Sequence, residues 1–255
     1  MGEQPGVVFF HAHPDDEAIF SGGTIAQLVA RGHRVTVVYL TNGDPDPHGA
    51  LAAVRVAEAR AACALLGATR VAFLGLGDSG LDAATAGTGS SWLADLSDVA
   101  AQVEAVLRDE DAAALVVYDE GGIYGHPDHL VVHRAGLAAA EAAGTPCVYE
   151  ATVDREYLHF VETHLVGHAV QSLLGMEIAA TNAAPLGVPT VEVSVTVDVR
   201  DQAGVKRAAM AAHASQIGPS SEPLTMAADT FDGVYGYEWY VRRRGATGPL
   251  DALGF

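Results

Sequence analysis

The sequence predicts an α/β fold, Rossmann-like, with a mostly parallel sheet, helices on both of its faces and a C-terminal cap. Three observations carry this. Short apolar runs alternate with longer helical patterns through the first 150 residues, the rhythm of strand–helix crossovers. Turn and cap residues fall at the ends of these runs rather than inside them. The length, 255 residues, suits one large α/β domain.

Element by element, strand one is the apolar run at 7–10, ending at His11-Ala12-His13, and a helical pattern follows over 22–31. Residues 34–40 are rich in β-branched side chains and stop at Thr41-Asn42-Gly43, whose turn chemistry breaks the element. The alanine-rich stretch 51–66 has helical periodicity, and Gly67 stands where a C′ glycine ends a helix. Strand three is read at 70–74. The Gly-, Ser- and Thr-rich residues 79–91 form a loop near the site, before an amphipathic helix over 95–108. Strand four at 113–118, a helix over 129–143 and strand five at 147–151 complete a core spanning 1–150. Beyond it, 152–183 reads as helical or mixed, 190–199 alternates as a strand, and 203–216 is helical. Tyr235, Tyr237, Trp239 and Tyr240 alternate like an edge strand, and 245–255 reads as a loosely ordered tail. No repeat or sharp change of composition divides the chain, so the expectation is one domain over 1–255 with 151–244 capping the core.

With 14 basic against 32 acidic residues, the net charge of -18 repels phosphate backbones and argues against nucleic acid as a partner. Neither a leader-like segment nor an apolar run of membrane-spanning length is seen, so a cytoplasmic protein without membrane contact is expected. Cys63 and Cys147 lie in apolar segments without C-x-x-C spacing and read as buried free thiols. Oligomeric state is open, a homo-oligomer included.

The strongest chemical signal is His13-Pro14-Asp15-Asp16-Glu17, directly after a buried strand, because open α/β sheets gather ligands at the carboxyl ends of strands. His13 and Asp16 offer an imidazole nitrogen and a carboxylate oxygen, both good zinc ligands, while Asp15 between them keeps its carboxylate free. Read alone, the cluster also fits a helix N-terminus whose acidic residues complement the dipole. A second cluster, Gly125-His126-Pro127-Asp128-His129, again follows a strand and opens a helix. Catalytic zinc takes three protein ligands and keeps one position open, and His129 can supply the third. His126 would then lie near the metal without binding it, able to donate a proton or hold an oxyanion. Asp128 could fix the tautomer of a neighbouring histidine.

With these motifs in view, the chain resembles the PIG-L/LmbE-like N-acetylglucosaminyl deacetylases, through Ala12-His13-Pro14-Asp15-Asp16-Glu17 and His126-Pro127-Asp128-His129. The likeness extends to Arg55-x-x-Glu58-Ala59, Asp78-Ser79-Gly80 and His213-x-Ser215-Gln216. It implies zinc, or ferrous iron, held by His13, Asp16 and His129, with Asp15 as general base and His126 as acid or electrostatic helper. It also implies sugar contacts from Arg55 and Asp78. The segment from Tyr118 to Gly125 is most similar to mycothiol-pathway deacetylases, which implies that Tyr124 assists at the carbonyl oxygen. His213 is read as a substrate contact or as a buried helix histidine. The substrate so implied is a small N-acyl amino sugar or glucosaminyl conjugate.

Several features carry blander readings. Gly75-x-Gly77-x-x-Gly80 fits a dinucleotide fingerprint, but a loop follows where a helix must begin. Asp44, Asp46 and His48 lie among prolines and glycines of a solvated turn. His11 and His133 read as packing residues. The rival functions are an amidase acting on thiol conjugates, an antibiotic-tailoring deacylase, a sugar-binding protein that keeps the fold without turnover, and a nucleotide-binding oxidoreductase.

Overall fold

The computed structural model describes residues 4–164 and 186–255 and contains a seven-stranded sheet in the order β3-β2-β1-β4-β5-β7-β6. Its first five strands are parallel: β1 (Gln4–His11), β2 (His33–Thr41), β3 (Arg70–Leu76), β4 (Ala112–Tyr118) and β5 (Cys147–Thr152). The helices among them are α1 (Asp16–Phe20), α2 (Gly22–Ala30), α3 (Ala50–Leu66), α4 (Leu96–Asp109), the single turn α5 (Gly122–Gly125) and α6 (Pro127–Ala143). Later come α7 (Arg155–His164), α8 (Ala203–Ala212) and α9 (Ala228–Tyr235), with strands β6 (Val195–Asp198) and β7 (Tyr237–Arg244).

The central strands are apolar at successive positions because both their faces are covered: Val7 to Phe10 and Ala114 to Val116 are fully buried. Helices α4 and α6 lie together against β4, while α2, α3 and α8 pack with one another near β2. Gly136 makes the close fit of α6 on β4 feasible, since a Cβ there would stand 2.4 Å from Val117. Gly67 adopts φ 84° and ends α3, as its position after the alanine-rich stretch predicts.

From β1 the chain crosses through α1 and α2 to β2 on one side, and from β4 through α6 to β5 on the other. The carboxyl ends of β1 and β4 therefore border a topological switch point, where the two crossovers diverge and leave a crevice.

The C-terminal part does more than cap. β7 pairs antiparallel with β5 (Glu150 opposite Val241), and β6 pairs antiparallel with β7 (Val197 opposite Glu238), so both extend the core sheet. Tyr237, Trp239 and Tyr240 thus lie on an inner strand, with β6 at the edge, whereas Tyr235 ends helix α9. Only 195–198 of the expected 190–199 strand forms, behind a 3-10 turn at Thr190–Glu192. The expectation for 152–183 lies outside the described residues from 165 onward. The tail is ordered, contrary to expectation: Leu250 is fully buried, and Asp251 accepts from Tyr149 Oη and pairs with Arg242. Among the described residues no helix is long and apolar enough to cross a membrane. Cys63 and Cys147 are free and buried.

A buried carboxylate on β5 gives the fold a pH dependence. Burial pushes the Glu150 carboxyl up from 4.5 to about 7, Arg243 offsetting part of this and Asp119 and Glu120 adding to it. Its Oε1 finds no hydrogen-bond partner among the described residues, with Arg243 Nε at 3.5 Å and His133 Nδ1 at 3.4 Å. A carboxyl raised on folding keeps its full stability below the unfolded pKa and loses it as pH climbs through the folded one. Glu150→Gln is therefore expected to stabilise the protein more at pH 8 than at pH 4.5, by on the order of 1–3 kcal/mol. Urea unfolding at the two pH values checks this; equal effects at both would refute it.

Candidate metal centre

The first motif follows closely on β1, the second follows β4 after the short turn α5, and both start helices. After β1 the chain turns through His13, Pro14 and Asp15 into α1, and Asp15 takes φ 126° and ψ -29°, which costs a residue with a Cβ about 1–3 kcal/mol. Arg55, buried on α3, holds this turn: Nη2 donates to Pro14 O at 2.7 Å and Asp15 Oδ2 at 3.0 Å, and Nη1 donates to Gly43 O at 2.7 Å. After β4, His126 caps α6 by accepting the Asp128 N–H on Nδ1 at 3.1 Å, with Pro127 in the first turn where no amide hydrogen is needed.

The hydrogen bonds assign a task to each ring nitrogen. His13 Nε2 donates to Asp128 Oδ2 at 2.9 Å, which leaves Nδ1 with its lone pair. His129 Nδ1 donates to Gly122 O at 3.2 Å, which leaves Nε2. Both free nitrogens face Asp16: Oδ2 is 3.4 Å from His13 Nδ1 and 3.6 Å from His129 Nε2. Tetrahedral zinc with bonds of about 2.0–2.1 Å sets adjacent donor atoms roughly 3.3–3.4 Å apart, close to the spacing of Asp16 Oδ2 from each nitrogen. His126 has the opposite polarity: its Nδ1 is an acceptor, so the neutral ring carries its proton on Nε2. Among the described residues, the groups that bring one ligand atom each within 4.8 Å of one another are His13, His126 and His129, and His13, Asp78, His126 and Asp128; Asp16 belongs to neither.

The electrostatics favour a cation. Burial opposes a charge on His13, yet Asp78, Asp128 and Asp16 carry its pKa well above the usual value. Burial likewise opposes ionisation of Asp16, but His129 and His13 hold its carboxyl well below the usual range. Asp15 differs: burial, aided by Asp16 and opposed by Arg55, pushes it up to about 6, a value suited to exchanging protons near neutrality. Burial, with His13 and His129 beside it, lowers His126 well below the ordinary histidine value.

Asp78 lines the site, with Oδ1 3.7 Å from His13 Nε2. Tyr124 sits in α5 with its hydroxyl 3.4 Å from His129 Nε2. Asp128 is wholly enclosed and accepts from His13 Nε2 at 2.9 Å. Arg55, expected to grip sugar, has its guanidinium turned to Gly43, Pro14 and Asp15 and braces the turn instead. His213, read as a substrate contact or a buried helix histidine, is fully buried at the end of α8 and bonds Glu17 Oε1 through Nε2 at 2.6 Å. His133 donates to Tyr118 O at 3.0 Å, and His11 bonds Tyr118 Oη at 3.2 Å; both are packing residues as read.

Three residues escaped the sequence reading. Tyr118 donates to Asp16 Oδ2 at 2.7 Å, accepts the Ala12 N–H at 2.9 Å and stacks on His129 at 3.9 Å. Ser79 donates its N–H to Asp128 Oδ2 at 3.1 Å, and Ser91 Oγ donates to Asp128 Oδ1. Tyr118 had a signal, since it is the last residue of a strand that ends at the site. The serines lie in a loop whose composition indicates only that it is a loop.

The PIG-L family, described as GlcNAc-PI de-N-acetylase, matches residues 8–140. The chain is 34% identical over 267 residues to the 1D-myo-inositol 2-acetamido-2-deoxy-alpha-D-glucopyranoside deacetylase of Salinispora arenicola, covering 95% of this chain and 86% of the relative. Its counterpart from Mycolicibacterium smegmatis is 34% identical over 281 residues, 99% of this chain and 95% of the relative. Among solved structures, the N,N'-diacetylchitobiose deacetylase of Pyrococcus horikoshii is similar in fold, with a TM-score of 0.57 and 23% identity over 94% of this chain and 84% of that one.

Proposed function

The chain belongs to the PIG-L family of de-N-acetylases, and from that premise we propose that it is a cytoplasmic, metal-dependent hydrolase. It removes the N-acetyl group from a small 2-acetamido-2-deoxy-glucopyranoside, the inositol-linked one foremost. Zinc is the first candidate metal and ferrous iron the second, held by His13, Asp16 and His129. The observation that carries the reading is the pair of histidines whose outer nitrogens are bound to Asp128 and Gly122 while their inner ones converge on Asp16. The substrate rests on the names of the relatives, two of which cover nearly all of this chain.

Bound there, zinc supplies Lewis acidity, polarising the amide carbonyl and bringing the pKa of water from about 15.7 towards 7. Asp15 takes the proton from the attacking water, helped by its raised pKa and fixed in place by Arg55. His126 presents Nε2–H to the carbonyl oxygen as negative charge grows there, and the Tyr124 hydroxyl gives a second donor. Asp128 keeps His13 in the required tautomer. The amine leaves with the proton returned by Asp15, so amide and water become acetate and amine. Asp78, on the open side of His13, accepts from a sugar hydroxyl.

A screen of N-acetylglucosamine conjugates, with free amine measured before and after chelation and after adding zinc or ferrous iron back, tests the proposal. The expected result is release from the inositol conjugate, abolished by chelator and restored by metal. Full activity in chelator, or no release from any acetamido sugar by the metal-loaded protein, would overturn it.

A further inference from the structure

Phe20 separates the metal centre from an apolar cleft that the reaction does not use. It lies one helical turn beyond Asp16 on α1, so its ring hangs over the same helix face. Its ring meets that of His129 edge-on, with centroids 6.3 Å apart and planes at 89°, and that of Tyr118 at 6.2 Å and 78°. On its other side the ring forms a wall of an apolar cleft, shared with Ile19, Tyr157, Leu158, Val161 and Trp239. The polar members of that cleft, Lys206 and Glu238, satisfy each other at 2.6 Å, and Glu238 also takes the Gly23 and Thr24 amides, so a guest would meet mainly hydrocarbon.

The two flanks of the centre differ in character. Beside His13 stands Asp78, a carboxylate that suits a hydroxyl of a sugar. Beside His129 stand Phe20, Tyr118 and Tyr124, which suit the acyl group. We propose that Phe20 sets the length of the N-acyl group, stopping it at acetyl by closing the way from the His129 flank into the cleft. Removing the ring joins the two spaces and admits an aliphatic chain of about four to six carbons. This rests on the deacetylase reading above.

The test compares Phe20→Ala with the wild type on N-acetyl-, N-butyryl- and N-hexanoylglucosamine conjugates of the same sugar. Ratios of kcat/KM are used because they cancel any loss of folded enzyme. Hydrophobic sites discriminate by roughly 10–200-fold per methylene, so the hexanoyl-to-acetyl ratio is expected to rise by at least about 10-fold in the variant. Adding Leu158→Trp, which fills the cleft, is expected to reverse the gain. Trp239 gives a readout apart from turnover: its fluorescence is expected to change on titrating N-hexanoylglucosamine into Phe20→Ala and to stay flat in the wild type. Should Phe20→Ala not fold, Phe20→Val serves with the same expected direction. A wild type that takes hexanoyl as readily as acetyl, or a folded variant with an unchanged ratio, would overturn the assignment while the deacetylase reading stands. A wild type inactive on the acetyl substrate in its metal-loaded form would instead remove the premise and the assignment together.

Discussion

Asp15→Asn is expected to lower kcat by about 10²- to 10⁴-fold, the usual contribution of a positioned general base, with bound metal unchanged. Asparagine keeps the shape of the side chain and an oxygen that can accept from Arg55 Nη2, now 3.0 Å from Asp15 Oδ2, so the turn through Pro14 should hold. What disappears is an oxygen able to take a proton. Since Asp15 is proposed as base and not as ligand, metal content by elemental analysis should match the wild type while amine release collapses. KM should change little, because the group acts on water and not on the sugar. A variant with near-normal kcat would remove Asp15 from the proton transfer. One that loses its metal would make it a ligand.

That the two halves of this centre were legible in the sequence follows from local geometry. His13 and Asp16 are three residues apart just after an apolar strand and the His126–His129 set spans four at the start of a helix, so each turn could be read without knowledge of the other. The relation between the turns was less accessible. Nothing local states that β1 and β4 are neighbours, yet Tyr118 Oη reaches Asp16 from β4 and Asp128 reaches His13 from α6. Arg55 and His213 show the reverse difficulty. Motif resemblance marks both as belonging to the site, but burial decides whether a side chain faces the substrate or holds up the residue that does. Proline at position 127 signalled that α6 starts before His129; the reading placed the start at the histidine because apolar periodicity begins there. The order of 245–255 depends on Leu250 and Asp251 meeting β5 and β7, long-range contacts that a short, glycine-containing tail does not announce.

The other large effect is expected from His129→Ala, through metal affinity. Loss of a supporting hydrogen bond to a ligand typically weakens binding by about 10–100-fold, so loss of the ligand itself should exceed roughly 100-fold. Asp128→Asn belongs to the milder class, because it disturbs the acceptor that fixes His13 Nε2–H and leaves the ligand itself in place. His126→Ala should leave affinity close to that of the wild type while lowering kcat, since a ring whose Nδ1 accepts an amide hydrogen presents a proton, not a lone pair, from Nε2. Competition against a chromogenic chelator measures all three. The order also decides between ligand sets, because His13, His126 and His129 are close enough to form a rival triad. If His126→Ala loses metal as severely as His129→Ala while Asp16→Ala retains it, the triad of imidazoles is correct and Asp16 is a neighbour. If Asp16→Ala and His129→Ala fall together and His126→Ala does not, the convergence on Asp16 Oδ2 at 3.4 and 3.6 Å marks the ion's position.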